Sequence, residues 1–303
     1  MNEHNSALND TEHMNVPNAS LVSRVLIVTA VDVEKEAILR GLGDKAADMF
    51  DVIAAGVGPA SAAAGTAAAL ALAAASASRL KAPAVATAPD LATPPPPAAA
   101  AVDPALAQGA TAPEQPDAAQ ASAASTAPGL LAGTGLTSAY TLVVSAGIGG
   151  GFPGVADVGS LVVADAMVAA DLGSQAPDGF LSVDELGFGS SRVAADAALA
   201  VRLRDALKRA GHAVSGGTAV TVSTATGTAE TAAELLRRVP DAAAEGMEGF
   251  GVATAAQQFG VPALELRSIS NAVGPRDRDA WRIKDALDAL QAASSILREV
   301  LTS

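Results

Sequence analysis

Short apolar strands alternate with helical patterns along this chain, and that alternation is the feature that most limits its fold. The run SRVLIVTA at residues 23–30 is rich in β-branched residues, and the helical pattern DVEKEAILRGL follows at residues 32–42. The alternation resumes with YTLVVSAGIGGG at residues 140–151. Strands that are apolar on both faces are typical of sheets covered by helices on both sides. The sequence therefore predicts an α/β fold, a three-layer α/β/α sandwich on a mostly parallel mixed sheet.

The other elements are predicted from the same patterns. A strand at residues 50–58 leads into an Ala-rich helix that begins at Pro59. The second half of the chain is predicted to contain strands at residues 159–171, 217–226 and 262–271, and helices at residues 193–211, 228–239, from 247 onward, and 280–301.

The composition changes between residues 76 and 137, where the chain is mostly Ala, Pro, Thr, Ser and Gln. Ten of the 17 prolines lie between Pro83 and Pro128, and no aromatic residue occurs from Asp51 to Ala139. Such a segment buries too little apolar surface to offset the entropy lost on ordering. We expect a disordered insertion at about residues 76–137 and a disordered arm at residues 1–22. The remainder of residues 23–303 is expected to form a single domain.

Charge and composition exclude several functions. The net charge of −13 argues against a nucleic-acid-binding protein, which needs a basic face. The chain has no Cys and three His, two of them in the N-terminal arm, so zinc sites and His-based triads are not expected. His212 lies in a predicted turn and is expected to be a surface residue.

Membrane association and secretion are not expected from the sequence. The N-terminal residues include acidic side chains and no apolar stretch of the kind that a secretory signal needs. The run at residues 60–78 is mostly Ala and would gain little from membrane insertion, so a soluble helix is favoured. We therefore expect a cytoplasmic protein.

Two glycine motifs match the residue pattern of dinucleotide-binding fingerprints without meeting all of its requirements. GGGFPG at residues 149–154 is followed by a predicted strand, whereas the fingerprint needs a helix there. GVGPAS at residues 56–61 does precede a helix but has Ser61 at the third glycine position. A nucleotide-cofactor enzyme is therefore not favoured.

Polar groups follow several predicted strands at the ends where ligands collect in α/β sheets. Glu34 follows the first strand, Asn271 ends the last one, and Met247 and Glu248 open a neighbouring helix. Taken alone, the polar residues among them can each be explained by local structure without a ligand. The carboxylates suit helix N-termini, and Asn271 before Gly-Pro suits a turn.

Taken together and in order, these motifs resemble the nucleoside phosphorylase and nucleosidase superfamily. The resemblance covers the whole folded part and excludes the arm and the insertion. It is carried by the segments TAVDVEKEAIL, AGVGPASAAAG, SAGIGGG, AEGMEG and RSISNAVGPRDRDAW.

The resemblance implies a role for each matching residue. Glu34 would activate the attacking water, Met247 would line the ribose, and Glu248 would accept hydrogen bonds from its hydroxyls. The base would lie beside Asn271, and further base contacts would come from Ser145, Ala146, Gly147, Gly227 and Thr228. No metal or organic cofactor is implied, and a homo-oligomer is expected.

Asn271 stands where adenine-specific nucleosidases of this superfamily have Asp. A carboxamide offers both a donor and an acceptor, so it can donate to O6 and accept from N7–H of a 6-oxopurine. We therefore expect hypoxanthine as the leaving base. We also expect Arg276 or Arg278 to bind a carboxylate on the 5′ side of the substrate, since guanidinium groups bind carboxylates with two parallel hydrogen bonds. Pairing with Asp277, Asp279 or Glu265 to hold the loop is an equally weighted alternative.

Hydrolysis is favoured over phosphorolysis. Many phosphorylases of the superfamily carry an Arg at the position of Leu142, and Glu34 would repel phosphate while suiting deprotonation of water. The expected function is therefore hydrolysis of the N-ribosidic bond of a purine nucleoside. The alternatives are a purine nucleosidase that acts on a different nucleoside, a purine nucleoside phosphorylase, or a non-enzymatic nucleoside sensor.

Overall fold

The computed structural model describes residues 24–44, 48–81, 139–177 and 179–303 of the chain. The described helices are α1 (Asp32–Leu42), α2 (Pro59–Lys81), α3 (Ala197–Arg209), α4 (Ala229–Arg238), α5 (Gly249–Gln258) and α6 (Ile283–Thr302). The described strands are β1 (Arg24–Thr29), β2 (Phe50–Ala54), β3 (Tyr140–Gly151), β4 (Leu161–Val163), β5 (Ala166–Ala169), β6 (Gly173–Ala176), β7 (Gly179–Ser182), β8 (Arg192–Ala194), β9 (Val214–Ser215), β10 (Thr218–Thr221), β11 (Ala242–Gly246) and β12 (Ala263–Ala272).

Strand β3 is the centre of a ten-stranded mixed sheet. On one edge of β3, its first half pairs in parallel with β1. On the other edge, β3 pairs in parallel with β12. Beyond the end of β1, the last residues of β3 pair instead with β11. The carboxyl ends of β1, β3, β11 and β12 therefore meet in one region, which is where α/β sheets collect their ligands.

Helices cover both faces of the sheet, as the sequence predicted. Alternate residues of β1 point to opposite sides, because side chains along a strand alternate. Val25 and Ile27 pack with α1, α3 and α6, whereas Leu26 and Val28 pack with α2 and α5. The predicted α/β/α sandwich is thus confirmed.

Several element boundaries differ from the sequence-based prediction. The strand predicted at residues 159–171 is broken at Asp165 into β4 and β5, which pair with different neighbours. Residues 192–194 form strand β8, and helix α3 begins only after Asp196, whose side chain accepts a hydrogen bond from the Leu199 amide. Strand β11 was not predicted, because AAAEG lacks the β-branched residues that mark strands.

The first residues of the expected insertion are part of a helix. Helix α2 continues to Lys81, so residues 76–81 are helical. The expected N-terminal arm and residues 82–138 of the insertion lie outside the described residues.

Helix α2 is the one described helix that is long and apolar enough, over Pro59–Ala77, to span a membrane by length and composition. Its buried residues Ala62, Thr66, Leu70 and Ala74 recur every four positions and form a stripe along one side. Ala62 and Leu70 belong to the same core cluster as Val252 of α5. This stripe packs into the domain core, while the other side of the helix, which includes Leu72, is exposed.

Helices α2 and α5 approach closely where Gly251 faces the first residue of α2. A methyl group added at Gly251 would lie 2.1 Å from the carbonyl oxygen of Pro59, which is backbone and cannot rotate away. Overpacking of this kind costs about 1–3 kcal/mol.

We predict that Gly251→Ala lowers the free energy of unfolding by about 1–3 kcal/mol, because the two helices must move apart. Urea unfolding followed by circular dichroism measures this change. Gly227→Ala is the matched control, since a methyl group there meets no heavy atom within 4 Å. Equal stability of the Gly251 variant and the wild type would contradict the close helix contact.

Candidate active site

A cavity of about 410 Å³ opens at the carboxyl ends of the central strands. Its walls come from the loop after β1, the ends of β3, β11 and β12, the loop before α4, and the loop after β12. Five of the predicted site residues line it, namely Glu34, Met247, Glu248, Asn271 and Arg276.

Glu34 lies in the first turn of α1 with its carboxylate directed to the cavity. One oxygen accepts hydrogen bonds from the amides of Ala30 at 3.0 Å and Val31 at 3.3 Å, and the other accepts from Ile148 at 2.9 Å. The side chain thus satisfies free amides at the start of α1, as the simpler explanation for this residue anticipated. Burial raises the pKa of Glu34, and the positive charge of Arg267 opposes that rise.

Arg267 of β12 is a fully buried cation behind the cavity. Its Nε lies 2.7 Å from Glu265 Oε1, and its Nη1 lies 3.2 Å from Glu248 Oε2. Nη2 donates to Ser145 Oγ at 3.1 Å, and Nη1 donates to the carbonyl of Ile148 at 3.3 Å. Although burial alone lowers the pKa of Arg267, the carboxylates of Glu265, Glu248 and Glu34 raise it overall. Arg267 therefore remains charged and holds this cluster of carboxylates together.

The sequence-based prediction did not include Arg267, and it considered Glu265 only as a possible partner for the arginines of the loop after β12. The signal was available, because ALELRSIS places a Glu and an Arg two residues apart in an otherwise apolar strand. Residues two apart share one face of a strand, so an ion pair within the sheet could have been expected. Burial also raises the pKa of Glu265.

Glu248 lies at the N-terminal end of α5. One of its oxygens accepts a hydrogen bond from the Gly58 amide at 3.3 Å, and the other faces Arg267. Gly58 has a φ of 93°, which favours glycine, so the AGVGPAS loop turns tightly to bring this amide to the carboxylate.

Asn271 lies near the end of β12 and is partly exposed to the cavity. Its Oδ1 accepts from Ser270 Oγ at 2.8 Å, and its Nδ2 donates to the carbonyl of Ala272 at 3.1 Å. A carboxamide has two donor hydrogens and two acceptor lone pairs. One donor and one acceptor therefore remain for a ligand.

The residues predicted at the base from β3 lie behind the cavity wall. Ser145 and Ala146 are buried within β3, where Ser145 contacts Arg267. At Gly147 an added methyl group would lie 2.6 Å from Glu34 Oε1. The cavity wall is formed instead by the next residues of β3, Ile148 to Gly150.

A similar shift affects the loop between β10 and α4. Ala225 and Thr226 line the cavity, whereas Gly227 and Thr228 do not. Thr228 caps α4 by accepting a hydrogen bond from the Thr231 amide at 3.1 Å. Thr226 is held by Glu245, a buried carboxylate of β11 that sequence analysis did not identify.

Trp281 lines the cavity, and two arginines lie close to its ring. The guanidinium carbons of Arg276 and Arg278 lie 5.2 and 5.9 Å from the centre of its ring. Arg276 lines the cavity, and Arg278 is exposed beside it without lining it. Glu265, one of the acidic partners expected for this loop, is instead buried against Arg267.

Other features of the described residues are distant from this site. His212 lies in the turn after α3 and does not line the cavity, and no group of three or more metal-ligating side chains occurs in residues 24–44, 48–81, 139–177 and 179–303. A second cavity of about 530 Å³ lies between the β6–β7 hairpin and the end of α4 and contains none of the predicted site residues.

Comparison with known proteins agrees with this geometry. A family described as the phosphorylase superfamily matches residues 122–303. Solved structures with this fold include 5′-methylthioadenosine/S-adenosylhomocysteine nucleosidases. That of Helicobacter pylori has a TM-score of 0.59 and 16% identity, covering 93% of this chain and 98% of that chain. That of Neisseria meningitidis has a TM-score of 0.58 and 16% identity, covering 92% and 98%. At this identity the likeness shows the fold.

Closer relatives refine the assignment. A futalosine hydrolase of Streptomyces coelicolor is 58% identical over 164 residues, which cover 54% of this chain and 68% of that protein. A futalosine hydrolase of Acidothermus cellulolyticus is 48% identical over 158 residues, which cover 52% and 64%. The chain therefore belongs to the phosphorylase superfamily and, within it, to the futalosine hydrolase family. The resemblance inferred from the sequence motifs is thus confirmed.

The raised pKa of Glu34 predicts a pH dependence. If Glu34 is the general base that the resemblance implies, kcat/KM should fall as pH decreases through the pKa of Glu34 in the free enzyme, because a general base acts only when deprotonated. Because burial raises that pKa, the midpoint should lie above the pKa of an exposed glutamate.

A pH profile of initial rates, with folding checked by circular dichroism at each pH, measures this midpoint. A kcat/KM that stays constant from neutral pH down to the ordinary carboxyl range would contradict the raised pKa.

Proposed function

We propose that this chain hydrolyses the N-ribosidic bond of futalosine and releases hypoxanthine and dehypoxanthine futalosine. The observation that carries the proposal is a single cavity lined by a buried carboxylate, Glu34, and by a carboxamide with free hydrogen-bonding capacity, Asn271. The named relatives are futalosine hydrolases, which act in the alternative pathway of menaquinone biosynthesis.

The leaving base is bound by Asn271. Cleavage of the glycosidic bond leaves negative charge on the purine, which is neutralised when N7 takes up a proton from solvent water; Glu34 later returns to solvent the proton it accepts from the attacking water. The free donor of Asn271 suits O6, and its free acceptor suits N7–H. Asn271 therefore favours hypoxanthine as the leaving group and stabilises it as the bond breaks.

Glu34 acts as the general base. The three backbone amides fix its carboxylate, and its raised pKa increases its affinity for a proton. It accepts the proton of a water molecule that attacks C1′ as the bond to the base breaks. A positioned general base contributes about 10²–10⁴-fold to the rate.

Glu248 and Met247 position the ribose. The Glu248 carboxylate is held by Arg267, whose Nη1 lies 3.2 Å from Glu248 Oε2, and it accepts hydrogen bonds from the ribose hydroxyls. Fixing the sugar aligns C1′ with the water held by Glu34.

The charges at the site favour water over phosphate as the nucleophile. Arg276 is the one basic residue among the described residues that line the cavity, and it lies at the mouth. Leu142 is buried in β3, and Arg267 is already engaged by Glu248 and Glu265. A phosphate beside C1′ would instead face the carboxylate of Glu34.

We also propose a location and an assembly, on the basis of the sequence and of the resemblance to the superfamily. The enzyme acts in the cytoplasm as a homo-oligomer. Its substrate is a small nucleoside.

Incubation of the purified protein with futalosine in phosphate-free buffer tests the function. We expect release of hypoxanthine without added phosphate, and much slower release from inosine and of adenine from methylthioadenosine. Release that requires phosphate would indicate a phosphorylase. Binding of futalosine without any release would indicate a nucleoside sensor.

We predict that Glu34→Gln lowers kcat for futalosine by at least about 10²-fold while the fold and substrate binding are retained, because the amide cannot accept the proton. Steady-state kinetics and calorimetric binding measure the two effects. Glu36→Gln, an exposed position on the same helix, is the matched control and should keep full activity. A Glu34 variant with more than a tenth of wild-type kcat would show that Glu34 is not the base.

We predict that alanine at Arg276 or Arg278 raises KM for futalosine, because a guanidinium near Trp281 binds the carboxylate of the 5′ aromatic extension. Inosine lacks that extension, so its slow hydrolysis should not change. Kinetics on both substrates separate binding from a purely structural role. Equal losses on futalosine and inosine would indicate that the arginine only holds the loop and thereby Asn271.

A further inference from the structure

Glu265 of β12 is a buried carboxylate that the proposed mechanism does not use. It is 1% exposed, and its Oε1 lies 2.7 Å from Nε of Arg267, which is 2% exposed. Its other oxygen, Oε2, has no hydrogen-bond partner among the described residues. A buried carboxylate oxygen without a partner is costly, and replacing a buried ion pair by apolar side chains is often neutral or stabilising. Stability alone therefore does not explain why this strand carries Glu265.

Glu265 is the principal counter-ion of Arg267. Its contact with the guanidinium, at 2.7 Å, has the length of a charge-assisted hydrogen bond, whereas Glu248 Oε2 lies 3.2 Å from Nη1. Burial raises the pKa of Glu265, and the positive charge of Arg267 opposes that rise. Glu34 is the third carboxylate that acts on Arg267. Because Glu265 makes the shortest contact, the charge of Arg267 is balanced mainly within β12.

The carboxylate of Glu265 lies against the start of α5. A methyl group added at Gly249, the first residue of that helix, would lie 1.9 Å from Glu265 Oε2. The dipole of a helix favours negative charge at its N-terminal end. Glu248 directly precedes Gly249, so both carboxylates that contact Arg267 lie at the same end of α5.

The position of Arg267 matters for the charge that develops during the proposed reaction. Cleavage of an N-ribosidic bond places positive charge on the ribosyl group as the bond to the base breaks. In the proposed site this charge develops beside Glu248, which lies 3.2 Å from Arg267. An uncompensated cation there would oppose it, and charges act strongly in a site that excludes water. A counter-ion that is fixed before the substrate binds removes this opposition without any group having to move.

We infer that Glu265 is a positioning residue of the proposed site: it neutralises Arg267 and fixes its guanidinium, so that the negative charge of Glu248 is available to the ribosyl cation. The inference rests on the proposed function and concerns a residue that touches neither the substrate nor the attacking water. With Nε held by Glu265, Nη1 faces Glu248 and Nη2 faces Ser145.

The test measures by calorimetry the affinities of wild type and Glu265→Gln for two C-nucleoside analogues of futalosine that cannot be hydrolysed. One analogue has a protonated ring nitrogen in place of O4′, and the other keeps the ring oxygen and is uncharged there. We expect the preference for the cationic analogue to fall about tenfold or more in the variant, because Arg267 is then an uncompensated cation. Glu299→Gln, an exposed position near the end of α6, should leave the preference unchanged.

Steady-state kinetics on futalosine give a readout that a purely structural role would not produce. The ribose of the bound nucleoside is uncharged, whereas the ribosyl group is cationic in the transition state. Glu265→Gln should therefore lower kcat by about tenfold with little change in KM. Displacement of Glu248 by a local rearrangement would instead raise KM and weaken the binding of both analogues alike.

If Glu265→Gln does not fold, the double variant Glu265→Gln/Arg267→Met provides a second test, because removing both partners leaves no uncompensated cation. The inference treats the pair as neutral, so the double variant should keep the wild-type preference for the cationic analogue. A stronger preference would show that Arg267 opposes the cation in wild type despite Glu265, and it would overturn the inference.

An unchanged preference in a folded Glu265→Gln variant would also overturn the inference. Wild-type protein that neither releases hypoxanthine from futalosine nor binds either analogue would instead contradict the proposed function itself.

Discussion

The site depends on one buried cation. Arg267 lies within the sheet and binds Glu248 and Glu265 directly, while its charge opposes the rise in the pKa of Glu34. Burying charges costs several kcal/mol per ion, and removing one partner of such a pair leaves an uncompensated charge. The buried ion pairs are therefore weak evidence that the cluster stabilises the fold. The cluster's consequence concerns two residues of the proposed site. Glu248, proposed to bind the ribose, and Glu34, proposed to activate water, have fixed positions and both interact with the positive charge of Arg267.

Small residues around Arg267 are a consequence of this arrangement. A methyl group at Gly147 would lie 2.9 Å from Nη1 of Arg267, and one at Gly249 would lie 1.9 Å from Glu265 Oε2. At Gly246 it would lie 3.0 Å from the guanidinium carbon. The glycines of SAGIGGG and AEGMEG therefore have a packing role. They let β3, β11 and the start of α5 approach the cluster that Arg267 forms with Glu248 and Glu265.

The sequence predicted the layers of the fold and the main groups of the cavity, because both depend on local patterns. The apolar strands define the sheet, and Glu34 and Asn271 lie at strand ends, where ligands collect. Local patterns could not predict strand β11, because its alanines lack the β-branched side chains that mark strands. They also could not predict the break at Asp165, which depends on the pairing of β4 and β5 with different strands. The exact cavity wall was also missed. Ser145 and Thr228 bind Arg267 and α4 instead of the cavity, and only the packing of the chain determines this.

The central claim of the proposed function is that water, and not phosphate, is the nucleophile that attacks C1′ of the nucleoside. Hydrolysis of futalosine in water enriched in oxygen-18, with the products analysed by mass spectrometry, tests it most directly. The account predicts one oxygen-18 atom in the sugar product, at C1′, and none in hypoxanthine, at a rate that does not depend on phosphate. A sugar product without the label, or a sugar phosphate formed when phosphate is present, would contradict the account.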